Sequence, residues 1–317
     1  MENYNFDTVI LGGGPAGLAA GIYAARGAVS TAIIDINMFG GQPSNYLELE
    51  NYPGFSTIGG YDLMEKFEEH ADKFGIEKFP MQEIQSVDLK NKTITTLEAT
   101  FNAKTIIIAS GAQPMKLGVP GEKEFVGRGV SYCAVCDGAF YKDKVVAVVG
   151  GGNAAVEEAM YLTKFASKVY LIHRRKELRA DKIVQERAFK NEKIEFIWDT
   201  VVEEIKGDDL VHTAVIKNVK TGNLSNLPIN GIFPYIGMVP NVDLLNGQLE
   251  QDARGFIVTD ETMRTSVEGV YAVGDVRTTP LRQVITATAD GAVAAVYAVK
   301  YLETLKEVPQ TSIVTNL

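Results

Sequence analysis

Residues 8–17 of the chain are Thr8-Val9-Ile10-Leu11-Gly12-Gly13-Gly14-Pro15-Ala16-Gly17. The apolar residues before Gly12 predict a short buried strand, and the small residues from Pro15 to Arg26 predict a helix. Gly12, Gly14 and Gly17 are spaced G-x-G-x-x-G, a pattern in which glycine permits a tight turn and lets a pyrophosphate approach backbone N–H groups. This order of strand, glycine turn and helix predicts an α/β fold that binds a nucleotide.

An acidic residue follows the next predicted strand. Thr31-Ala32-Ile33-Ile34 is the strand, and Asp35 stands at its end. A carboxylate about 20 residues after the glycine turn accepts hydrogen bonds from ribose hydroxyls in dinucleotide-binding folds. The first part of the chain is therefore predicted to bind an adenine dinucleotide.

The same pattern occurs a second time, with a basic ending. A strand over 144–149 precedes Gly150-Gly151-Gly152-Asn153-Ala154-Ala155, which is G-x-G-x-x-A, and a helix over 156–165 follows. The next strand, 168–172, ends in His173-Arg174-Arg175, with Arg179 one helical turn further on. Basic groups at this position suit a 2′-phosphate and favour NADPH over NADH, whereas a solvated basic face is the alternative interpretation.

Two stretches rich in Gly and Pro, over 111–121 and 233–240, predict domain boundaries. No glycine fingerprint opens the last segment, in which a strand over 270–273 and a helix over 284–305 are expected, so it completes the first domain. A helix over 61–74, antiparallel strands between 84 and 101 and a strand over 105–109 are also expected. The prediction is two Rossmann-like domains, the second inserted into the first, with the divisions 1–113, 114–240 and 241–317.

Bulk properties narrow the class of protein. The chain has 317 residues, 46% of them hydrophobic and 22% charged, with a formal net charge of −9. This acidic balance argues against binding to nucleic acid, and no apolar run reaches the roughly 20 residues that span a bilayer. No export signal is visible at the N-terminus, so we expect a cytoplasmic protein in a reducing compartment.

The only two cysteines of the chain are Cys133 and Cys136, and Asp137 follows directly. Two thiols spaced C-x-x-C can form a small disulfide ring and exchange with other disulfides. Half of a zinc site is disfavoured because His70, His173 and His212 lie far away without ligand spacing, and no metal is expected. A structural disulfide and inert buried thiols are weaker alternatives than a redox pair.

Together these motifs resemble the bacterial-type, low-molecular-weight thioredoxin reductases, a family of flavin-dependent disulfide reductases. The resemblance covers nearly the whole chain and rests on both fingerprints, the segments 40–42 and 50–54, the Cys133–Gly138 stretch, the basic cluster, Gly274-Asp275 and Arg282-Gln283. It implies FAD in the first domain and NADPH in the second. The residues that we assign to FAD are Gly12, Gly14, Pro15, Ala16, Gly17, Asp35, Gly41, Gln42, Asn51, Gly111, Gly274, Asp275, Arg282 and Gln283. The residues that we assign to NADPH are Gly150, Gly152, Asn153, Ala154, Ala155, His173, Arg174, Arg175 and Arg179.

The same resemblance implies a role for each residue of the redox stretch. Cys136 faces the flavin, Cys133 attacks the disulfide of thioredoxin, and Asp137 is the general acid that protonates the departing thiolate. The resemblance also implies a homodimer. Separately, Arg128, Phe140 and Tyr141 are a candidate docking surface for a protein partner, and the alternative interpretation is that these aromatic residues pack in the core. The rival functions are the same flavoenzyme reducing a glutaredoxin-like or peroxidase-linked carrier, ferredoxin as electron donor, and a non-catalytic flavin-binding sensor.

Overall fold

The computed structural model describes residues 2–46 and 48–307. These residues fall into two compact units, one within 1–113 and 239–317 and the other within 114–238. The second unit thus ends two residues before the boundary expected after residue 240. The predicted α/β architecture with two Rossmann-like units is confirmed.

The first unit begins with strands and helices in alternation. Its elements up to the first crossing into the second unit are β1 (Glu2–Leu11), α1 (Pro15–Arg26), β2 (Thr31–Ile34), α2 (Gly60–Asp72), β3 (Glu77–Phe79), β4 (Ile84–Asp88), β5 (Thr93–Thr96), β6 (Ala99–Ile108) and β7 (Ala112–Pro114).

The second unit has two sheets and three helices. Its elements are α3 (Ala134–Asp137), β8 (Val145–Gly150), α4 (Asn153–Leu162), β9 (Lys168–Ile172), α5 (Lys182–Phe189), β10 (Ile194–Ile197), β11 (Thr200–Gly207), β12 (Val211–Asn218), β13 (Leu224–Pro228) and β14 (Gly231–Tyr235). The chain returns to the first unit in β15 (Met238–Pro240), and β16 (Val270–Ala272) and α6 (Val284–Glu307) complete that unit.

The core of the first unit is a parallel sheet in the order β3-β2-β1-β6, with β16 parallel to the far end of β6. Val9 and Ile10 of β1 and Ile106–Ile108 of β6 are fully buried, as expected for parallel strands that are covered on both faces. Helices α1 and α6 pack closely together, since a side chain at Gly291 would lie 2.1 Å from the carbonyl oxygen of Ala16. The sheet and this helix pair hold the glycine turn after β1 in place.

Two strands of the first unit are longer than the sequence indicates. The first strand is predicted from Thr8, yet β1 begins at Glu2, because Glu2–Phe6 pairs in parallel with Ala99–Ala103. The antiparallel excursion is present as β4, β5 and the first half of β6, and the strand expected at 105–109 is the second half of β6. In the first half of β1, Glu2, Asn3 and Asn5 are exposed and only Tyr4 and Phe6 are aromatic, so the pairing leaves little apolar signal in the sequence.

The second unit carries a parallel sheet in the order β10-β9-β8-β14, and a separate antiparallel sheet, β11-β12-β13. The helix expected over 156–165 extends from Asn153 to Leu162, directly after the second glycine turn. Arg179 does not lie on a helix, because residues 173–180 form an irregular segment between β9 and α5. Helix α5 and strands β10–β14 have no counterpart among the predicted elements.

Candidate dithiol site and nucleotide-binding turns

Cys133 and Cys136 form a disulfide, with their Cα atoms 5.3 Å apart. Cys133 is the N-cap of α3, and the backbone N–H of Cys136 donates to Cys133 Sγ at 3.1 Å. Ser131 holds the same turn, since its hydroxyl accepts from the N–H of Cys133 and donates to the carbonyl of Cys133. Cys136 is exposed and Cys133 is half-buried. The pair is therefore a formed disulfide in a short, locally hydrogen-bonded turn at the protein surface.

The side chains next to the disulfide differ in exposure. Asp137 is half-buried and its backbone N–H donates to the carbonyl of Cys133 at 3.2 Å. Phe140 is 73% exposed, whereas Tyr141 is 8% exposed and packs edge-on against Phe233. Burial, together with the negative charge of Asp137, raises the pKa of Tyr141. Of the two aromatic residues in the predicted docking surface, only Phe140 is available to a partner; Tyr141 is a core residue.

Arg128, the third member of the predicted docking surface, is an exposed residue. Its guanidinium Nη2 donates to the carbonyl oxygen of Glu124 at 2.7 Å, and its Cζ lies 5.6 Å from the centre of the Phe125 ring. Its role in docking stays a prediction.

The first glycine turn joins β1 to α1 and is shaped by close backbone contacts. Gly12 has φ +117°, and a Cβ there would lie 2.3 Å from the carbonyl oxygen of Ala109. A Cβ on Gly17 would lie 1.8 Å from the carbonyl oxygen of Gly12. Helix α1 starts with Gly14 as N-cap and Pro15 at its first position, with no side chain capping the end. The turn thus presents an uncapped helix N-terminus, the usual cradle for a pyrophosphate.

Asp35 lies beside this turn at the end of β2. Its Oδ2 accepts from the N–H of Gly13 at 2.6 Å, and its Oδ1 accepts from the N–H of Asn37 at 2.8 Å. Burial raises the pKa of Asp35, and these backbone N–H groups offset part of the rise. The carboxylate therefore closes the turn, and it still has lone pairs for a ribose hydroxyl.

The other residues assigned to FAD come from the rest of the first unit. Gly41 packs against the first turn, since a Cβ there would lie 3.1 Å from Gly14 Cα. Asn51 Nδ2 donates to Gln283 Oε1 at 2.9 Å, which joins residues 232 positions apart in the sequence. Gln42 opens the short helical turn after Gly41, and Gly111 has φ +69° with no atom near the position of a Cβ.

Asp275 and Arg282 are half-buried in the same unit. Burial raises the pKa of Asp275, and the nearby positive charge of Arg282 offsets part of the rise. The guanidinium of Arg282 lies 3.9 Å from the centre of the Phe256 ring, and its buried Nε has no hydrogen-bond partner. A buried guanidinium nitrogen without a partner is costly, so this atom indicates a place for an acceptor from a ligand. These residues fit a bound FAD.

The second glycine turn differs from the first at its last position. A Cβ on Gly152 would meet no atom within 4 Å, and Ala155 occupies the position equivalent to Gly17. Asn153 at the start of α4 makes two hydrogen bonds with Asp181. Asn153 Nδ2 donates to the Asp181 carboxylate at 2.8 Å, and Asn153 Oδ1 accepts from the backbone N–H of Asp181 at 2.6 Å. Ala154 follows on the first turn of α4. The open space at Gly152 fits the close approach of a second pyrophosphate.

The basic residues after β9 separate into two groups. Arg174, Arg175 and Arg179 are exposed, whereas His173 is 4% exposed with its ring against Gly151. Burial and the positive charges of the three arginines lower the pKa of His173, so its imidazole is neutral near pH 7. The arginines carry the positive charge available to a 2′-phosphate, and His173 supports the glycine turn.

Some residues of the two sites were not found from the sequence. Asp290 accepts from the N–H of Gly274 at 3.1 Å and pairs with Arg277 at 3.0 Å, and so fixes the turn that carries Asp275. Its signal in the sequence is a lone charge in the small-residue segment of 284–299. Glu158 on α4 is 5% exposed, its Oε2 has no partner, and burial raises its pKa to about 7. In the sequence Glu158 is one of two adjacent glutamates, and nothing there shows that it, rather than Glu157, is the buried one.

Within residues 2–46 and 48–307 the structure contains no helix that is long and apolar enough to cross a membrane. In the same residues no three His, Cys, Asp or Glu side chains come together as metal ligands.

A family model described as pyridine nucleotide-disulphide oxidoreductase matches residues 6–291, so the chain belongs to this family. Within this family the chain is similar to thioredoxin reductases over nearly its whole length. That of Peptoclostridium acidaminophilum is 50% identical over 312 residues, which covers 96% of this chain and 98% of that protein. The thioredoxin reductase of Bacillus subtilis is 46% identical over 312 residues, with 98% and 99% coverage. A crystal structure of Lactococcus lactis thioredoxin reductase has a TM-score of 0.91 and 47% identity, covering 94% of this chain and 99% of that chain. The predicted resemblance to the thioredoxin reductases is confirmed.

Proposed function

We propose that this chain is an NADPH-dependent thioredoxin-disulfide reductase with FAD as its bound cofactor. The observation that carries the proposal is the Cys133–Cys136 disulfide in the same unit as a glycine turn that is flanked by exposed arginines. The similarity to thioredoxin reductases over nearly the whole chain supports thioredoxin as the acceptor.

The first unit holds FAD in this proposal. The uncapped start of α1 and the turn at Gly12 and Gly14 bind the pyrophosphate, and Asp35 accepts from a ribose hydroxyl. Gly274 and Asp275 follow β16 at the edge of the same parallel sheet, and the partnerless Nε of Arg282 donates to an acceptor on the cofactor. FAD, when bound, accepts a hydride from NADPH and passes two electrons to the disulfide.

NADPH binds to the second unit. The space beside Gly152 admits the pyrophosphate to the N-terminus of α4, while Asn153 is held by Asp181. Arg174, Arg175 and Arg179 supply charged donors for the 2′-phosphate, which NADH lacks. His173 is buried and neutral, and its ring packs against Gly151 of the turn.

The thiol step uses the two cysteines in sequence. In the reduced chain the thiolate of Cys133 attacks one sulfur of the thioredoxin disulfide, so a bond forms between the two proteins and the disulfide of thioredoxin breaks. The thiolate of Cys136 then attacks Cys133 Sγ, which re-forms the internal disulfide and releases thioredoxin as a dithiol. The assignment of Cys133 as the attacking sulfur follows the family resemblance, because exposure alone favours Cys136.

Asp137 provides the proton for this step. A thioredoxin thiolate that leaves the mixed disulfide needs a proton, and the carboxyl group next to Cys136 is the nearest acid in the sequence. The other sulfur of thioredoxin, which is released when the mixed disulfide forms, takes its proton from solvent. The reaction therefore consumes one NADPH, one proton and one disulfide, and produces NADP⁺ and one dithiol.

We also propose that the chain is a cytoplasmic homodimer. The family resemblance supports the dimer, and a dithiol that cycles needs a reducing compartment. Sedimentation of the purified holoenzyme at several concentrations tests the dimer, and a single species of monomer mass would contradict it.

Anaerobic stopped-flow tests the proposed function directly. The purified holoenzyme is mixed first with NADPH or NADH and then with oxidised bacterial thioredoxin, while flavin absorbance and free thiols are followed. We expect rapid bleaching by NADPH but not by NADH, and recovery of the flavin absorbance with thioredoxin. Bleaching without recovery would refute thioredoxin as acceptor and favour another disulfide carrier, and no bleaching would favour a donor such as ferredoxin.

Variants of the redox stretch test the assigned roles. Cys133→Ser is expected to keep NADPH-dependent dye reduction and to lose thioredoxin reduction, and retained thioredoxin turnover would transfer the attacking role to Cys136. Asp137→Asn should slow the thiol step while NADPH reduces the flavin at the normal rate. An unchanged thiol step would remove the proton-donor role of Asp137.

A further inference from the structure

The chain enters and leaves the dithiol unit through two segments that are hydrogen-bonded to each other. The backbone N–H of Met115, just after the first crossing, donates to the carbonyl oxygen of Gly237, just before the second, at 2.9 Å. Both residues belong to the unit that contains the disulfide. A change in the backbone of one segment therefore disturbs the other.

A buried carboxylate connects the first segment to the residue before Cys133. Glu122 is 3% exposed and accepts from the N–H groups of Leu117 and Gly118, both at 2.7 Å. The hydroxyl of Tyr132 donates to the same carboxylate at 2.8 Å. Burial and the hydrogen bond to Glu122 raise the pKa of Tyr132, so its hydroxyl remains a donor throughout the working pH range. These three donors satisfy a buried charge that is otherwise costly.

A second tyrosine connects the other segment to the residue after Cys133. Tyr235 ends β14, two residues before Gly237, and its hydroxyl oxygen accepts from the backbone N–H of Ala134 at 3.0 Å. Ala134 is fully buried and is the first residue of α3. This hydroxyl is thus the acceptor for a buried backbone donor that has no partner inside such a short helix.

These contacts form a closed circuit around the nucleophile. It passes from Tyr132 through Glu122 to the first segment, across the Met115–Gly237 hydrogen bond to the second, and through Tyr235 back to Ala134. Cys133 is the residue between its two ends. The hydrogen bonds of these three side chains reach the backbone on both sides of Cys133, so their effect on the disulfide passes through the backbone.

We propose that Glu122, Tyr132 and Tyr235 are positioning residues that hold the backbone on both sides of Cys133 and link the state of the disulfide to the two segments by which the chain enters and leaves this unit. The inference rests on the proposed function for the cycling of the dithiol. In this proposal the contacts weaken when the disulfide opens, so breaking the circuit destabilises the disulfide relative to the dithiol.

The experiment compares Tyr132→Phe, Tyr235→Phe and the double variant with the wild-type holoenzyme. Each protein is equilibrated in dithiothreitol redox buffers, and the fraction of Cys133 and Cys136 present as thiols is measured by alkylation and mass spectrometry. One hydrogen bond is worth roughly 1 kcal/mol, so each single variant should shift the equilibrium about fivefold towards the dithiol. For a two-electron couple this is about 20 mV towards a more oxidising potential.

Tyr170→Phe is the matched control. Tyr170 lies on β9 in the same unit, beside Lys168 and outside the circuit, and the same loss of a hydroxyl there should leave the equilibrium unchanged. Because the contacts form one circuit, the shift in the double variant should be smaller than the sum of the single shifts. Thermal unfolding identifies a variant that fails to fold, and the other single variant then tests the proposal alone.

An equilibrium equal to that of the wild type, or a shift towards the disulfide, would overturn the proposal. Additive shifts in the double variant would show two separate contacts and refute the circuit. The measurement needs no thioredoxin, whereas turnover of thioredoxin by the wild-type protein is measured in parallel. Failure of that turnover would refute the proposed function and leave the equilibrium measurement to decide the inference.

Discussion

The two glycine turns have nearly the same sequence and differ in what surrounds them. In the first, Gly17 leaves no room for a methyl group, because a Cβ would lie 1.8 Å from the carbonyl oxygen of Gly12. In the second, Ala155 occupies the same place and is fully buried. The first turn is therefore closed by backbone against backbone, and the second is wide enough for one more carbon.

The turns also differ at the end of the neighbouring strand. Asp35 turns inward and accepts two backbone N–H groups, whereas the side chains of Arg174 and Arg175 are exposed. Asp35 therefore stabilises its turn through hydrogen bonds, whereas the exposed side chains of Arg174 and Arg175 do not hold the second turn in place. Substitution of the acid should affect folding and cofactor together, and substitution of the arginines should affect the ligand alone.

The largest effect is expected from exchanging the residue at the third glycine position of each fingerprint, which is Gly17 in the first and Ala155 in the second. Gly17→Ala should give a protein without FAD, since the methyl group has no space next to Gly12. Ala155→Gly should keep FAD and lose only about 1 kcal/mol of stability, the usual cost of glycine in a helix. The flavin content per chain and thermal unfolding of both variants are measured. Full flavin content in Gly17→Ala would show that the first turn is not closed in this way.

The next largest effect concerns the arginines. Replacing Arg174, Arg175 and Arg179 with Gln should lower kcat/KM for NADPH by about 100-fold or more, because charged hydrogen bonds to the phosphate are worth about 1.5–3 kcal/mol each. The value for NADH should change only a few-fold. Replacing the exposed Lys142, Lys182 and Lys190 of the same unit is the control for net charge. Equal losses for both nucleotides would contradict recognition of the 2′-phosphate.

A smaller effect is expected for Asp35→Asn. The amide keeps one acceptor oxygen and places an NH₂ group opposite a backbone N–H, so we expect roughly tenfold weaker retention of FAD, about 1.4 kcal/mol. Release of FAD during dilution, followed by flavin fluorescence, gives the dissociation constant. Retention equal to that of the wild type would mean that the carboxylate contributes neither to the turn nor to the ribose.

The smallest effect is expected for Glu158 on α4, because the helix after the second turn buries an acidic side chain and the helix after the first turn does not. The buried residues of α1 are all Gly or nonpolar, whereas α4 buries Glu158, whose pKa is raised to about 7 from 4.5. The folded protein therefore binds a proton more tightly than the unfolded chain, and the resulting stability is present at low pH and lost as pH rises from about 4.5 through 7. Glu158→Gln should raise Tm by about 2–4 °C near pH 8 and have little effect near pH 5. A gain that does not depend on pH would disprove the titration of Glu158.

The sequence was a good guide to the elements around each turn because they are local. A buried strand, a glycine turn and a helix are specified by adjacent residues, and α1 and β2 begin and end as predicted. The prediction misses the start of β1 because Glu2–Phe6, in which only Tyr4 and Phe6 are aromatic, is ordered by pairing with Ala99–Ala103, almost 100 positions away. His173 was grouped with the arginines because the sequence carries no record of burial. For the same reason the sequence leaves Tyr141 open between a docking surface and core packing.

The class of fold, the positions of both glycine turns and the Cys133–Cys136 pair follow from the sequence alone, since each depends on a few residue types at short, fixed spacings. Three contacts become visible only in the folded chain: Asp290 supports the turn at Gly274, Glu122 receives three donors, and Tyr235 reaches the residue after Cys133. Tyr235 and Ala134 are 101 positions apart in the chain. Such contacts depend on the packing of distant segments and on the burial of single polar atoms, and no local pattern encodes either.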